Sequence, residues 1–205
     1  MRIVLASGNK DKLREVKEIL AGDGCEVVAM KAIGINPDIV EDGDSFEANS
    51  RIKATAVWNE LKKRGEAETT DTIVIADDSG LEIDALGGEP GVYSARYMGE
   101  DTPYEIKCAE LIRRLEGVPD EKRTARFRAA ITAILPDGTV ITTCGAMEGR
   151  IGYEMKGEHG FGFDPILYLP QYGATSAEID PEEKNRISHR GKGLMAMREA
   201  LEGKI

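Results

Sequence analysis

The run Thr72-Ile73-Val74-Ile75-Ala76 is nearly unbroken in its apolar character and stops abruptly at Asp77-Asp78-Ser79-Gly80-Leu81. A short continuous apolar run bounded by polar residues reads as a buried strand. Here the strand delivers two adjacent carboxylates to what reads as a small turn. Neighbouring carboxylates repel, so such a pair is more comfortable beside a cation or an incoming proton donor. Asp, Ser and Gly are also ordinary turn formers, and a solvated turn is the plain alternative. The strand end favours a site, because open α/β sheets place ligands at the ends of their strands.

The surrounding chain fits such a sheet. Arg2 to Ala6 reads as a buried strand, Asp11 to Leu20 as a helix with Leu13, Val16, Ile19 and Leu20 on one face, and Cys25 to Met30 as a second strand. Asp44 and Glu47 have capping-box spacing and open a helix of about five turns that ends near Arg64-Gly65. After the acidic pair comes a second extended piece, Leu81 to Leu86. Thr102-Pro103-Tyr104-Glu105 repeats the box with proline at the first helical position and starts a helix to about Leu115. Extended runs from Arg123 to Leu135 and from Thr139 to Ile151 flank Pro136-Asp137-Gly138, a hairpin signal. A glycine-rich loop, Gly157 to Gly162, leads to a short strand, Ile166 to Leu169. Asp180 to Glu183 then caps a short helix, and Gly191 to Leu201 forms the last one. The expectation from these elements is an α/β fold with a mixed sheet flanked by helices, in two lobes with a cleft, read as a single domain over residues 1–205.

Composition removes several function classes. At 205 residues and 41% hydrophobic content the chain can bury a sizeable core. A formal net charge of −10 opposes broad attraction to a nucleic-acid backbone or an anionic membrane, although a local cluster of lysines can still hold a small anion. There is no run of eighteen apolar residues, and Met1-Arg2 leads directly into Ile3-Val4-Leu5, so a cytoplasmic location is expected. The three cysteines are scattered and lack CxxC spacing, which indicates neither a disulfide framework nor a zinc site.

Four further segments carry candidate chemistry. Ser7-Gly8-Asn9 lies where a strand becomes a helix and offers phosphate-binding N–H groups, with Lys12 in the first turn; a simple turn with a solvated lysine is the alternative. Glu41-Asp42 precedes the long helix, where acids also favour the dipole; on that helix Asn49 and Lys53 share a face, and a snorkelling lysine competes with a phosphate ligand. Gly160-Phe161-Gly162-Phe163-Asp164-Pro165 combines rings that suit stacking on a flat heterocycle or plugging a core. The charged run Glu183 to Lys192 reads as a solvated face or as a binding cluster in which Arg190 donates bidentate hydrogen bonds.

Taken together, these blocks and Pro90-Gly91-Val92-Tyr93-Ser94-Ala95-Arg96-Tyr97 make the chain resemble the inosine triphosphate pyrophosphatase family. The resemblance implies an elongated mixed-sheet α/β fold with a central substrate cleft between two lobes, hydrolysis of deaminated purine nucleoside triphosphates (ITP, dITP, XTP) to monophosphate and pyrophosphate, a Mg²⁺ requirement and a homodimer. By position, Ser7, Gly8, Asn9, Lys12, Lys53 and Ser79 match the residues that hold the triphosphate. Glu41 and Asp78 match the metal ligands, and Asp78 also the general base. Phe161, Gly162, Phe163, Asp164, Lys184, His189 and Arg190 match those that grip the purine and neighbouring groups. Phe163 stands where many relatives carry tyrosine, and His159 where many carry glycine. Two other readings are a pyrophosphatase for modified pyrimidine or methylated triphosphates and a non-catalytic nucleotide sensor; retention of Asp78, Glu41 and Lys53 argues against the sensor.

Overall fold

A computed structural model describes residues 1–20, 25–66 and 71–202 of the chain. Seven strands form one mixed sheet in the order β2-β1-β3-β4-β5-β6-β7. They are β1 (Arg2–Leu5), β2 (Glu26–Ala29), β3 (Thr72–Ile83), β4 (Thr124–Ile134), β5 (Val140–Ile151), β6 (Leu167–Leu169) and β7 (Ala174–Thr175). The helices are α1 (Lys10–Leu20), α2 (Phe46–Lys63), α3 (Tyr104–Arg114), α4 (Pro181–Ile187) and α5 (His189–Leu201). The α/β architecture expected from the sequence is the one observed.

Residues group into two compact units. The first comprises Met1–Asp78, Ala129–Gly145 and Arg190–Ile205; the second comprises Ser79–Arg128 and Ala146–His189. In the first, β1 runs parallel to both β2 and β3, with Ile3 opposite Val27 and Ile73. Alternation along these strands sends side chains to two separate cores. Ile3, Leu5, Ile73 and Ile75 join Val16 of α1 and Leu194 and Met197 of α5. Val4, Ala6, Val74 and Ala76 pack instead with Ala54, Val57, Trp58 and Leu61 of α2. A parallel sheet covered on both faces requires apolar residues at both parities, which is why β1 and the start of β3 read as unbroken apolar runs.

The second unit follows the other sheet rule. Leu81, Ile83, Ala125, Phe127, Met147, Ile151, Leu167 and Leu169 share one core with Cys108 and Leu111 of α3. On the opposite parity Arg126 pairs with Asp84 at 2.8 Å and with Glu148 at 2.9 Å. One face is packed and the other is charged, as in antiparallel sheets.

Several sequence expectations need correction. β3 does not stop at Ala76; it continues through Asp77, Asp78, Ser79 and Gly80 to Ile83 and absorbs the separate extended piece expected at Leu81 to Leu86. The carboxylates sit within the strand because buried cations pair with them, a long-range compensation that local turn chemistry does not reveal. The cap of α2 is Ser45, whose side chain accepts from Ala48 N–H, rather than Asp44. Thr102 does not cap α3; its hydroxyl donates to Met98 O at 2.8 Å, and Pro103 occupies the cap position. A 3₁₀ turn over Asp164–Ile166 delays β6 until Leu167, and the two-residue strand β7 carries too little pattern to be legible. The last helix begins at His189 rather than Gly191. The hairpin between β4 and β5 is present, with Gly138 at φ 83°.

Candidate functional site

The alternation that splits the cores of the first unit also separates the two acids. Asp77 follows Ile73 and Ile75 to the face of α1 and α5, whereas Asp78 follows Val74 and Ala76 to the face of α2. On the first face Lys12 donates to Asp77 Oδ1 at 2.5 Å, and Arg190 Nε donates to Asp77 Oδ2 at 2.6 Å. A second guanidinium nitrogen of Arg190 pairs with Glu15. Burial opposes ionisation of Asp77, but Arg190 and Lys12 outweigh it and hold the carboxyl far below the usual range. Burial, reinforced by the neighbouring Arg190 and Lys53 cations, pushes the Lys12 ammonium below its ordinary value despite Asp77. The start of α1 is fixed by Asn9, whose Oδ1 accepts from the N–H groups of Asp11 (2.8 Å) and Lys12 (3.1 Å), while Ser7 Oγ accepts from Asn9 N–H.

On the other face Lys53 Nζ donates to Asp78 Oδ1 at 2.6 Å and to Glu41 Oε2 at 3.0 Å. One ammonium thus gathers two carboxylates from a strand and a loop. Burial raises the Asp78 carboxyl above the ordinary aspartate range, against the pull of Lys53. Lys53 shows the converse: burial disfavours its charge, yet Asp78 and Glu41 lift it above the ordinary lysine value. The two neighbouring acids are thus shifted in opposite directions, Asp78 toward its neutral form by burial and Asp77 toward its anion by Arg190 and Lys12.

Counted across both faces, Lys12, Lys53 and Arg190 meet four carboxylates, Glu15, Glu41, Asp77 and Asp78. The cluster holds one carboxylate more than it has cations. Among the described residues no group of three or more His, Cys, Asp or Glu side chains forms a closed metal cage. Two convergent carboxylates without a cage fit Mg²⁺, which takes one or two protein carboxylates and completes its shell with water and substrate phosphate oxygens.

In the second unit Asp164, 3% exposed, is the hub. Its Oδ2 accepts from Lys184 Nζ (2.5 Å) and Phe161 N–H (2.8 Å), and its Oδ1 from the Ser176 hydroxyl (2.6 Å). A methyl group at Gly160 would approach Asp164 Oδ2 to 2.2 Å, so only glycine lets the loop close over this pair. Lys184 Nζ lies 5.9 Å from the centre of the Phe161 ring. A pocket of ≈ 440 Å³ opens here, lined by Phe161, Gly162, His159, Met155, Tyr104 and Cys108 among others. Burial pushes the Cys108 thiol up to about 12.

The structure therefore distributes the sequence candidates over three settings. Lys12, Glu41, Lys53, Asp78 and Arg190 gather at β3 of the first unit, with Ser7, Gly8 and Asn9 at the start of α1. Phe161, Gly162, Asp164 and Lys184 gather in the second unit, where Ser79 also lies in β3. Phe163 and His189 stand apart in packed positions: Phe163 meets Tyr104 edge to face at 5.2 Å, and His189 stacks on Phe127 at 5.0 Å. Sequence reading missed Glu15, Ser176 and Tyr104. Only Glu15 left a usable signal, being one helical turn after Lys12 and on the same face of α1.

Fold and charged cluster together define a mixed-sheet α/β protein that gathers its ionic groups around one central strand. The chain belongs to the Ham1 family, whose model matches residues 3–200. It is 46% identical over 201 residues to the dITP/XTP pyrophosphatase of Desulforamulus reducens, covering 98% of this chain and 96% of that one. It is 42% identical over 199 residues to the dITP/XTP pyrophosphatase of Bacillus subtilis, covering 97% and 96%. Among solved structures, the Ham1 protein of Staphylococcus aureus superposes with a TM-score of 0.86 at 36% identity over 100% of both chains.

Proposed function

We propose that this chain hydrolyses deaminated purine nucleoside triphosphates, ITP, dITP and XTP, to the nucleoside monophosphate and pyrophosphate. The observation that carries the reading is the convergence of Asp78 and Glu41 on Lys53, in a chain that is 46% identical to a dITP/XTP pyrophosphatase over 98% of its length. A triphosphate brings about four negative charges near neutral pH, and its cleavage builds more on a bridging oxygen. A cluster with more carboxylates than cations does not hold such a ligand unaided, so the reading includes Mg²⁺ held by Glu41 and Asp78. When bound, the metal supplies positive charge for the phosphate oxygens.

The remaining chemistry belongs to the chain. Asp78, with its raised pKa, accepts a proton from the attacking water as that water's oxygen bonds to the α-phosphorus and the bond to the β-phosphate bridge breaks. Lys53 keeps its charge and orients Asp78 and Glu41. Ser7, Gly8, Asn9, Lys12 and Ser79 hold the phosphates in this reading. Phe161 supplies the ring on which a purine stacks, beside the fixed ammonium of Lys184. Hypoxanthine and xanthine offer a carbonyl at position six where adenine offers an amino group, so buried donors reward the former and are left unpaired by the latter.

The reading includes a homodimer, on the strength of the family resemblance, and a cytoplasmic location, on the strength of the sequence expectation alone. No described helix is long and apolar enough to cross a membrane. The decisive experiment incubates the protein and Mg²⁺ with ITP, dITP, XTP and the four standard triphosphates and assays pyrophosphate. Fast release from the deaminated purines alone is expected; equal turnover of ATP and ITP, or orthophosphate as the only product, sinks the reading.

A further inference from the structure

Asn49 is 1% exposed and lies in the first half of α2, one turn before Lys53. Its Oδ1 accepts from the Gly43 N–H at 2.9 Å, while its Nδ2 is buried with no hydrogen-bond partner. A half-used buried amide is costly, because the unpaired donor has lost its water without replacement. Packing alone would favour leucine, which matches asparagine in size and carries no polar atom to bury. The Nδ2 atom is itself inaccessible and cannot serve as a ligand donor. The function of the side chain therefore lies at Oδ1.

Gly43 stands two residues after Glu41, in a stretch between Gly34 and Phe46 that has no helix or strand. A methyl group at Gly43 would come within 2.7 Å of Asn49 Oδ1 and 2.8 Å of the Ala48 side chain, so the loop backbone lies directly against α2. The same helix presents Lys53 to the Glu41 carboxylate at 3.0 Å. Two contacts from one helix face, one to the backbone and one to the carboxylate, bracket the acid.

We propose that Asn49 is a positioning residue for the divalent cation: by pinning the Gly43 N–H it sets the Glu41 carboxylate for shared coordination with Asp78. This inference rests on the function proposed above. A purely structural staple would show itself in melting temperature; a positioning residue shows itself in metal affinity at unchanged fold.

The test compares the parent protein with Asn49→Leu, Asn49→Asp and Gly43→Ala. Mn²⁺ is titrated against each in the presence of the non-hydrolysable α,β-imido analogue of ITP, with free Mn²⁺ read by electron paramagnetic resonance, and melting is followed without metal. Asn49→Leu should melt within a few degrees of the parent and bind metal about tenfold or more weakly, the range found when a partner that orients a metal ligand is removed. Asn49→Asp, which keeps an oxygen facing Gly43, should recover most of that loss. Gly43→Ala, which forces the same contact apart from the loop side, should reproduce it. Parental metal affinity in folded Asn49→Leu or Gly43→Ala overturns the inference, as does equal weakness of Asn49→Asp and Asn49→Leu. Failure of the parent to release pyrophosphate from ITP would count against the functional reading, whereas the ratios of metal affinity judge the positioning role by itself.

Discussion

The two units use a buried lysine and a buried carboxylate in opposite ways. In the second, Lys184 and Asp164 neutralise one another, Ser176 and the Phe161 N–H add two further hydrogen bonds to the carboxylate, and an aromatic ring lies alongside. In the first, Lys12, Lys53 and Arg190 face four carboxylates, and Asp78 is left with a raised pKa. In the function proposed above, the closed, neutral pair lies beside the flat base, and the acid-rich cluster takes the cation and the polyanion that accompanies it. The adjacent acids show how finely the contrast is drawn, since a single step along the strand leads from an anion held between Lys12 and Arg190 to a carboxyl whose pKa burial raises.

Substitutions can break this comparison, and the largest expected effect is on Asp78. Asp78→Asn should lower kcat for ITP at least about a hundredfold, as when a general base is removed, with melting close to the parent because Lys53 keeps Glu41. Near-parental turnover would move the base to another group.

Asp77→Asn should act on stability instead. It takes from Lys12 and Arg190 the buried carboxylate they share, although Arg190 still pairs with Glu15, at a cost of about 3–5 kcal/mol, the range for breaking a buried pair. Asp77 has a depressed folded pKa, so its contribution is fully present above the unfolded value of about 4 and is lost as pH falls through the folded one. Melting curves of the variant should therefore depend less steeply on pH between about pH 4 and 2 than those of the parent. Equal slopes would mean that Asp77 is not the anion described.

On the other side of the comparison, Phe161→Ala should raise KM for ITP about tenfold with little change in kcat, since a stacked base is worth about 1–3 kcal/mol. A fall in kcat alone would remove Phe161 from binding. The smallest effect concerns Cys108: with its thiol near 12, alkylation at pH 8 should label Cys144 and Cys25 well before Cys108, which should react only on unfolding. Rapid labelling of Cys108, read by peptide mass spectrometry, would contradict its placement in the core.

Much of the fold was legible locally. Apolar alternation and caps located α1, α2, α3, α4 and the β4–β5 hairpin to within a few residues, because backbone periodicity is a property of neighbours in sequence. Errors clustered where tertiary contacts override local chemistry. Asp77-Asp78-Ser79-Gly80 has the composition of a turn, yet it lies within a strand because partners from α1, α2 and α5 neutralise its charge. The edge-to-face contact of Phe163 with Tyr104 likewise joins residues far apart in sequence and leaves no local pattern.

By itself, then, the sequence determined an α/β sheet, an acidic pair on its apolar strand and the blocks that mark a nucleotide pyrophosphatase. Only the tertiary structure decided what each acid does. Side chains at consecutive strand positions leave on opposite faces, and Asp77 meets Arg190 across 113 residues of chain while Asp78 meets Lys53 across 25. Which cation waits on each face is settled by helix packing over those distances, and no local pattern encodes it.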